Sequence, residues 1–321
     1  RPVSRPVRVW RWCRRHPRVS ILTAVTSILL IVVTLVAVQS AAERRARRGQ
    51  ILADNAYMAR LVAQLIQNRF EAWGESVTKV VPDVRGHLER GDTDGLQTLL
   101  ESLCDQPNIE NWHVFDRDGN MIARSPGRVH DGESFRVRDY FQGAVRHAGL
   151  HGADAVHVSK VYHSVIDDLY KFDITVPVVD ADAKLLGVVG VGVATDPSLG
   201  LSQLQHAGHR VMVVAPGDPG RRETDTHPLL PDALVLLHPA YRYGEEAVPV
   251  DCSALPACAV ACPGEFTGPP LSEDIRDWDD AFHDPVVPGE DSWLAGFAPV
   301  GRTGFLVIVL QRDVDAAGAQ S

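Results

Sequence analysis

Val19–Val38 (VSILTAVTSILLIVVTLVAV) runs for twenty residues without a charge, between two arginine-rich flanks. At helical rise that length covers about 30 Å, the hydrocarbon thickness of a bilayer. The hydroxyls of Ser20, Thr23, Thr26, Ser27 and Thr34 do not spoil a membrane span, because a helical hydroxyl bonds back to a carbonyl of the preceding turn. Arg1, Arg5, Arg8, Arg11, Arg14, Arg15 and Arg18 lie upstream with Trp10 and Trp12. Arg44, Arg45, Arg47 and Arg48 lie downstream, offset by Glu43. The larger upstream cluster predicts a single-pass protein of the cell (inner) membrane, its N-terminal side cytoplasmic and the bulk of the chain periplasmic or otherwise extracytoplasmic. A cleaved signal peptide is the alternative, but its apolar region is usually about 7–15 residues, shorter than this run. The chain opens on Arg1, so a fragment with a cytoplasmic part before it is expected.

Residues 1–48 carry a charge of +10 and the whole chain −9, which leaves about −19 on residues 49–321. An acidic exterior argues against a nucleic-acid partner, while the basic flanks suit anionic lipid headgroups. Of five cysteines, Cys13 falls on the cytoplasmic side and Cys104, Cys252, Cys258 and Cys262 fall outside, where disulfides persist. The spacing of the last three matches neither a zinc finger nor a haem attachment, and a disulfide among them stays open. No cofactor is indicated.

Apolar residues at Ile51, Leu52, Met58, Leu61, Leu65, Ile66, Phe70, Trp73, Val77 and Val80 keep helical period and extend the span into one long helix. Pro82 and Gly86 are expected to stop it. The stripe serves either its own domain or a coiled-coil partner. Asp92 with Thr93 caps a second helix over about 93–104. Trp112–Phe115 and Met121–Ala123 flank Asp116-Arg117-Asp118-Gly119, a hairpin signal. A short helix starts near Asp139, and strands follow at 155–162, 170–179 and 184–194. Gly187, Gly190 and Gly192 do not make a phosphate loop, since no helix opens after them. Beyond Pro197 come a short helix near 199–205, strands at 210–215 and 234–238, an irregular Pro- and acid-rich excursion over 245–292, and strands at 293–299 and 304–311.

This order makes a specific resemblance visible. Phe115-Asp116-Arg117-Asp118-Gly119, Ser134-Phe135-Arg136-Val137-Arg138-Asp139-Tyr140-Phe141, the strand Tyr170–Val178 and the run Leu186–Gly190 together resemble a Cache domain, the PAS-like extracytoplasmic sensor of membrane receptors. The fold class implied is α+β: an N-terminal transmembrane helix and a long helical stalk, followed by PAS-like antiparallel-sheet sensor lobes in a double-Cache layout. The corresponding segments are a cytoplasmic juxtamembrane part (1–18), the transmembrane helix (19–40), the stalk (41–108), a membrane-distal Cache lobe (109–196), a smaller membrane-proximal α/β lobe (197–312) and a tail (313–321). The front end, Arg1–Pro6 with Trp10–Pro17, is similar to the segment that follows the kinase domain in eukaryotic-like serine/threonine kinases of planctomycetes. The chain itself holds no HRD loop, DFG motif, GxSxG elbow or HExxH. No catalytic residue is assigned, and any kinase lies outside these residues.

The Cache resemblance implies a ligand site at Arg138, Tyr140, Lys171 and Asp173, with Ser159 and Tyr162 as further hydroxyl donors. Arg138 offers a planar fork for a carboxylate and Lys171 a second cation. Tyr140 supplies an aromatic wall, and Asp173 a group for a ligand amine or for a neighbouring cation. The amino-acid-binding pattern has Trp-Tyr where Tyr140-Phe141 stand, and an aspartate about where Gly192 stands. The resemblance therefore favours a small organic carboxylate over an amino acid. His147, His151, His157 and His163 read as surface histidines and not as metal ligands. The expected partners are a small-molecule ligand, the membrane and a second copy through the stalk, with a ligand-free dimerisation or adhesion ectodomain as the alternative.

Overall fold

The computed structural model describes residues 10, 12–104, 109–127, 129, 134–151, 155–164, 170–195, 209–217, 233–237 and 293–312. Cys252, Cys258, Cys262, the 199–205 helix and the 245–292 excursion lie outside them. The chain divides into two compact units, Arg1–Ile51 and Leu52–Ser321.

Helix α1 spans Pro17–Arg90. Its apolar window is long and hydrophobic enough to cross a membrane, with a mean hydropathy of 2.8 and none of it buried. Leu22, Ile28, Leu30 and Leu35 are all more than 60 % exposed, an apolar surface that water would not tolerate over such an area. The hydroxyls bond back as expected: Thr23 to the Val19 carbonyl at 2.9 Å, Thr26 to Leu22 at 2.9 Å and Thr34 to Leu30 at 2.8 Å.

In the second unit α1 becomes one-sided. Ala59, Val62, Ala63, Ile66, Phe70, Trp73, Val77, Val80, Val81 and Val84 are buried. The helix passes through Pro82, where a stop was expected. Proline there forgoes one backbone bond, to Thr78, and Val81 and Val84 on either side of it stay packed in the core. The real stop is Gly91, at φ +66°. The amide of Asp92 donates to the His87 carbonyl at 3.0 Å and that of Gly91 to Leu88 at 3.1 Å, a Schellman ending that needs a residue able to turn left-handed. The Asp92 carboxylate then accepts from the Gly95 amide at 2.9 Å and opens α2 (Thr93–Ser102).

A six-stranded antiparallel sheet follows, built from β1 (Asn111–Asp116), β2 (Met121–Ser125), β3 (His157–Val158), β4 (Tyr162–His163), β5 (Tyr170–Val179) and β6 (Leu185–Ala194). The order is β2-β1-β6-β5-β3, with β4 also on β5. The strand expected at 155–162 is two short pieces, which leaves a strap along the edge. Helix α3 (Asp139–His151) precedes that strap. A four-stranded antiparallel sheet ordered β8-β7-β10-β9 closes the chain: β7 (His209–Pro216), β8 (Ala233–Leu237), β9 (Trp293–Pro299) and β10 (Leu306–Arg312).

One core joins α1, α2 and a face of each sheet. At its centre Phe70 of α1 lies 5.2 Å from Phe172 of β5 and 5.2 Å from Phe305, the residue just before β10. Asn55 fastens α1 to the second sheet by donating to the Leu294 carbonyl at 2.8 Å. Gly296 lets the two backbones meet, since a Cβ there would collide with Asn55 and Ala56. The other face of the first sheet has a separate cluster of Phe115, Phe135, Tyr140, Phe141, Ala144 and Val188.

Candidate ligand-binding site

That second face carries the site, because strand alternation sends different residues each way. On β1, Trp112 and Val114 enter the α1 core, whereas Asn111, His113 and Phe115 face α3. On β5, Phe172 and Ile174 enter the core while Lys171, Asp173 and Thr175 face the other way. The register sets Asn111, Gly192 and Asp173 in one row, and His113, Gly190 and Thr175 in the next. β6 lies between β1 and β5, so these side chains start two strand spacings apart, about 9.5 Å. The glycines let them close the gap. A Cβ at Gly190 would meet Thr175 Cγ2 at 2.6 Å and His113 Nε2 at 2.9 Å, and one at Gly192 would meet the Asn111 amide at 2.8 Å. His113 and Asn111 occupy that space, and His113 Nε2 comes within 3.4 Å of Asp173 Oδ2.

Each member is held. Asn111 Oδ1 is 3.0 Å from His113 Nδ1, and His113 Nε2 faces the Asp173 carboxylate. Asp173 Oδ1 accepts from the Tyr162 hydroxyl at 2.7 Å. Tyr140 stacks on Phe115 at 5.6 Å and 19°, lies 5.1 Å from Tyr162, and its carbonyl accepts from Thr175 Oγ1 at 2.9 Å. Arg138 is 6 % and Arg124 8 % exposed. Around them is a cavity of about 400 Å³ including its mouth, of which about 30 Å³ admits the centre of a water molecule. That is room for roughly two waters, so a larger guest needs the walls to give.

Four of the residues expected from sequence line this cavity: Arg138, Tyr140, Tyr162 and Asp173. Two do not. Ser159 Oγ accepts from the Asp173 amide and donates to the Lys160 carbonyl, both at 2.8 Å, so its hydroxyl braces the backbone. Lys171 shares the face of Asp173 but is buried at 1 % exposure and reaches the site through its charge on His113. The lining residues that sequence reasoning missed include Asn111, His113, Arg124 and Phe135, with His163 and Ser164 from the strap. The alternation of β1 was a usable signal for His113, which is in phase with Phe115 and out of phase with Trp112.

Burial, with the charges of Arg124 and Lys171, pushes the His113 imidazole down to about 3, so the ring is neutral at physiological pH. At the start of α3, burial pushes the Asp139 carboxyl up, but the hydrogen bond and charge of His157 and the amide and charge of Lys160 outweigh it and hold the group below its ordinary value. His157 is therefore no surface histidine, its side chain being 12 % exposed. Among the described residues no group of three or more His, Cys, Asp or Glu is arranged to hold a metal ion.

No family model matches the sequence, and no curated protein does either. Solved structures do match. The ligand-binding domain of the Pseudomonas fluorescens chemoreceptor CtaA in complex with L-isoleucine aligns with a TM-score of 0.54 at 16 % identity, over 87 % of this chain and 99 % of that one. This chain has the fold of a chemoreceptor ligand-binding domain. The same domain in complex with L-alanine aligns with a TM-score of 0.53 at 14 % identity, over 83 % and 99 %. The sensory domain of the Campylobacter jejuni chemoreceptor Tlp3 with isoleucine bound aligns with a TM-score of 0.53 at 10 % identity, over 86 % and 97 %. At such identities the likeness is one of fold.

Proposed function

We propose that this chain is the ligand-sensing region of a single-pass membrane receptor, and that its cavity binds a small amino carboxylate. The carrying observation is that one buried cavity holds Arg138 together with the Asp173 carboxylate and the His113 ring beside it. A guanidinium takes a carboxylate in two parallel bonds, and the Asp173 carboxylate suits a ligand ammonium. Phe115, Phe135 and Tyr140 would pack a short side chain. A plain organic acid, which the Cache resemblance favoured, brings no ammonium to Asp173, and a diacid sets a second carboxylate against it. The amino acids bound in the matched structures support the same reading.

In this reading residues 1–18 are cytoplasmic and residues 41–321 lie outside the membrane. α1 carries the signal to a cytoplasmic output, for which the similarity of the front end suggests a serine/threonine kinase. Ligand binding acts by favouring one of two arrangements of the sensor. Met58, Leu61 and Leu65 on α1 are 42 %, 48 % and 40 % exposed at helical spacing, which supports pairing with a second copy. The test is a thermal-shift screen of the chain in nanodiscs against L-amino acids and di- and monocarboxylic acids. Stabilisation that grows with concentration of an amino acid, and not of its deaminated analogue, supports the proposal. Stabilisation by organic acids alone overturns the ligand class.

A further inference from the structure

The two walls of the cavity are joined beside it at one carboxylate. Asp139 Oδ2 lies 3.1 Å from His157 Nε2 and accepts from the Lys160 amide at 2.9 Å, and Oδ1 lies 3.4 Å from Arg146. Arg138 and Tyr140, its sequence neighbours, line one wall. Tyr162, His163 and Ser164, which follow Lys160 along the strap, line the other. The surface of α3 is shaped to receive the strap. Asp139, Gly143 and His147 recur at four-residue steps, hence on one helix face. A Cβ at Gly143 would run into the His157 ring. The His147 ring stands edge-on to His157 at 5.0 Å, and its Nδ1 is 3.3 Å from the Val156 carbonyl. His157 thus sits in a glycine notch between an aspartate and a second histidine.

We infer that Asp139 is a positioning residue of the ligand site, a clasp that holds the strap against α3 and so fixes the spacing between Arg138 and Tyr140 on one wall and Tyr162 on the other. The consequence for binding rests on reading the cavity as an amino-carboxylate site. The clasp itself does not. Because the cavity has room for only about two waters, a larger ligand must part these walls, which touch at Tyr140 and Tyr162, 5.1 Å between rings, and are tied beside that contact at Asp139. Its loss should therefore weaken binding by loosening both walls together, with Asp139 touching no ligand.

The experiment pairs hydrogen exchange of the ligand-free chain in nanodiscs with titration of L-isoleucine and L-alanine. Asp139→Asn removes the charge, Gly143→Ala ejects His157 while leaving Asp139 intact, and His157→Gln keeps an N–H donor. Expected for the first two is faster exchange at 138–141 and at 160–164 together, with β5 and β6 protected as in wild type, and affinity about tenfold weaker for whichever amino acid wild type binds. His157→Gln should stay near wild type in both. Loosening confined to one wall, no loosening, or unchanged affinity beside a loosened pair of walls overturns the inference. If wild type binds neither amino acid, the ligand reading fails at that step, and hydrogen exchange alone still decides for or against the clasp. A variant that loses β5 and β6 protection as well marks Asp139 as a general folding residue and also overturns it.

Discussion

His113 of β1 and Asp173 of β5 face each other at 3.4 Å across a strand that separates them. They meet because β6 presents Gly190 and Gly192 between them. The contact of two polar groups, 3 % and 1 % exposed, is thus a property of three strands in register.

Gly190→Ala should cost about 1–3 kcal/mol of stability, the usual range for overpacking a filled site. Its Cβ would meet Thr175, His113 and the Ile174 carbonyl within 3.0 Å, and the backbone oxygen cannot swing away. Urea unfolding of the nanodisc-embedded chain, followed by Trp fluorescence, measures it. A midpoint equal to wild type would mean that His113 does not lie over β6.

Stability should fall as pH drops from about 6.5 towards about 3, the ordinary and folded values for His113. In that window the unfolded chain takes up a proton that the folded chain refuses, so the unfolded state binds more protons and stability rises with pH. The slope for one group approaches 1.4 kcal/mol per pH unit. Asp139 and Asp92, both held below their ordinary carboxylate value, behave differently. Their contribution is complete above that value and is lost only as pH falls through the lower folded one. The interval from about pH 6.5 to 5 therefore isolates His113 from them, and His113→Gln should flatten it. An equal slope in wild type and variant would contradict a neutral buried ring.

Much of the fold was legible in the sequence. Periodicity on α1, the Asp-Gly hairpin and the apolar β6 run each point to one local structure, and the register added little to them. The site was half legible. Arg138, Tyr140 and Asp173 were reached through the Cache resemblance of the motifs that carry them, and Tyr162 through alternation along its strand. Asn111, His113 and Arg124 were missed because their role depends on which strand lies beside which. Gly192 shows the difficulty best. Along the chain it was only a missing aspartate, whereas in the sheet it is the space that Asn111 fills. Pro82 was misread because one forgone backbone bond was weighed without the packing on either side of it.

The exposed stripe of α1 should pair with a second copy. Phe70 must be left out of it, since at 3 % exposure it belongs to the chain's own core. Leu61→Cys and Leu65→Cys should give disulfide-linked dimers in membranes, and Ile66→Cys, fully buried, should not. Equal yields at all three positions would contradict a defined seam.

Orientation follows from the arginine asymmetry. A membrane-impermeant maleimide on intact cells should modify Leu61→Cys, with Cys13 modified only after lysis, as read by peptide mapping. Labelling of Cys13 alone would reverse the topology.

The central claim stands or falls on Arg138. Titration calorimetry of the nanodisc-embedded chain with the amino acid that stabilises it most should show Arg138→Ala losing roughly ten- to a hundredfold in affinity, the worth of a charge-assisted hydrogen bond. Arg138→Lys should recover little of it, since an ammonium lacks the two-pronged geometry, and hydrogen exchange in β5 and β6 should match wild type in both variants. A folded Arg138→Ala protein that binds the same amino acid with wild-type affinity would contradict the claim.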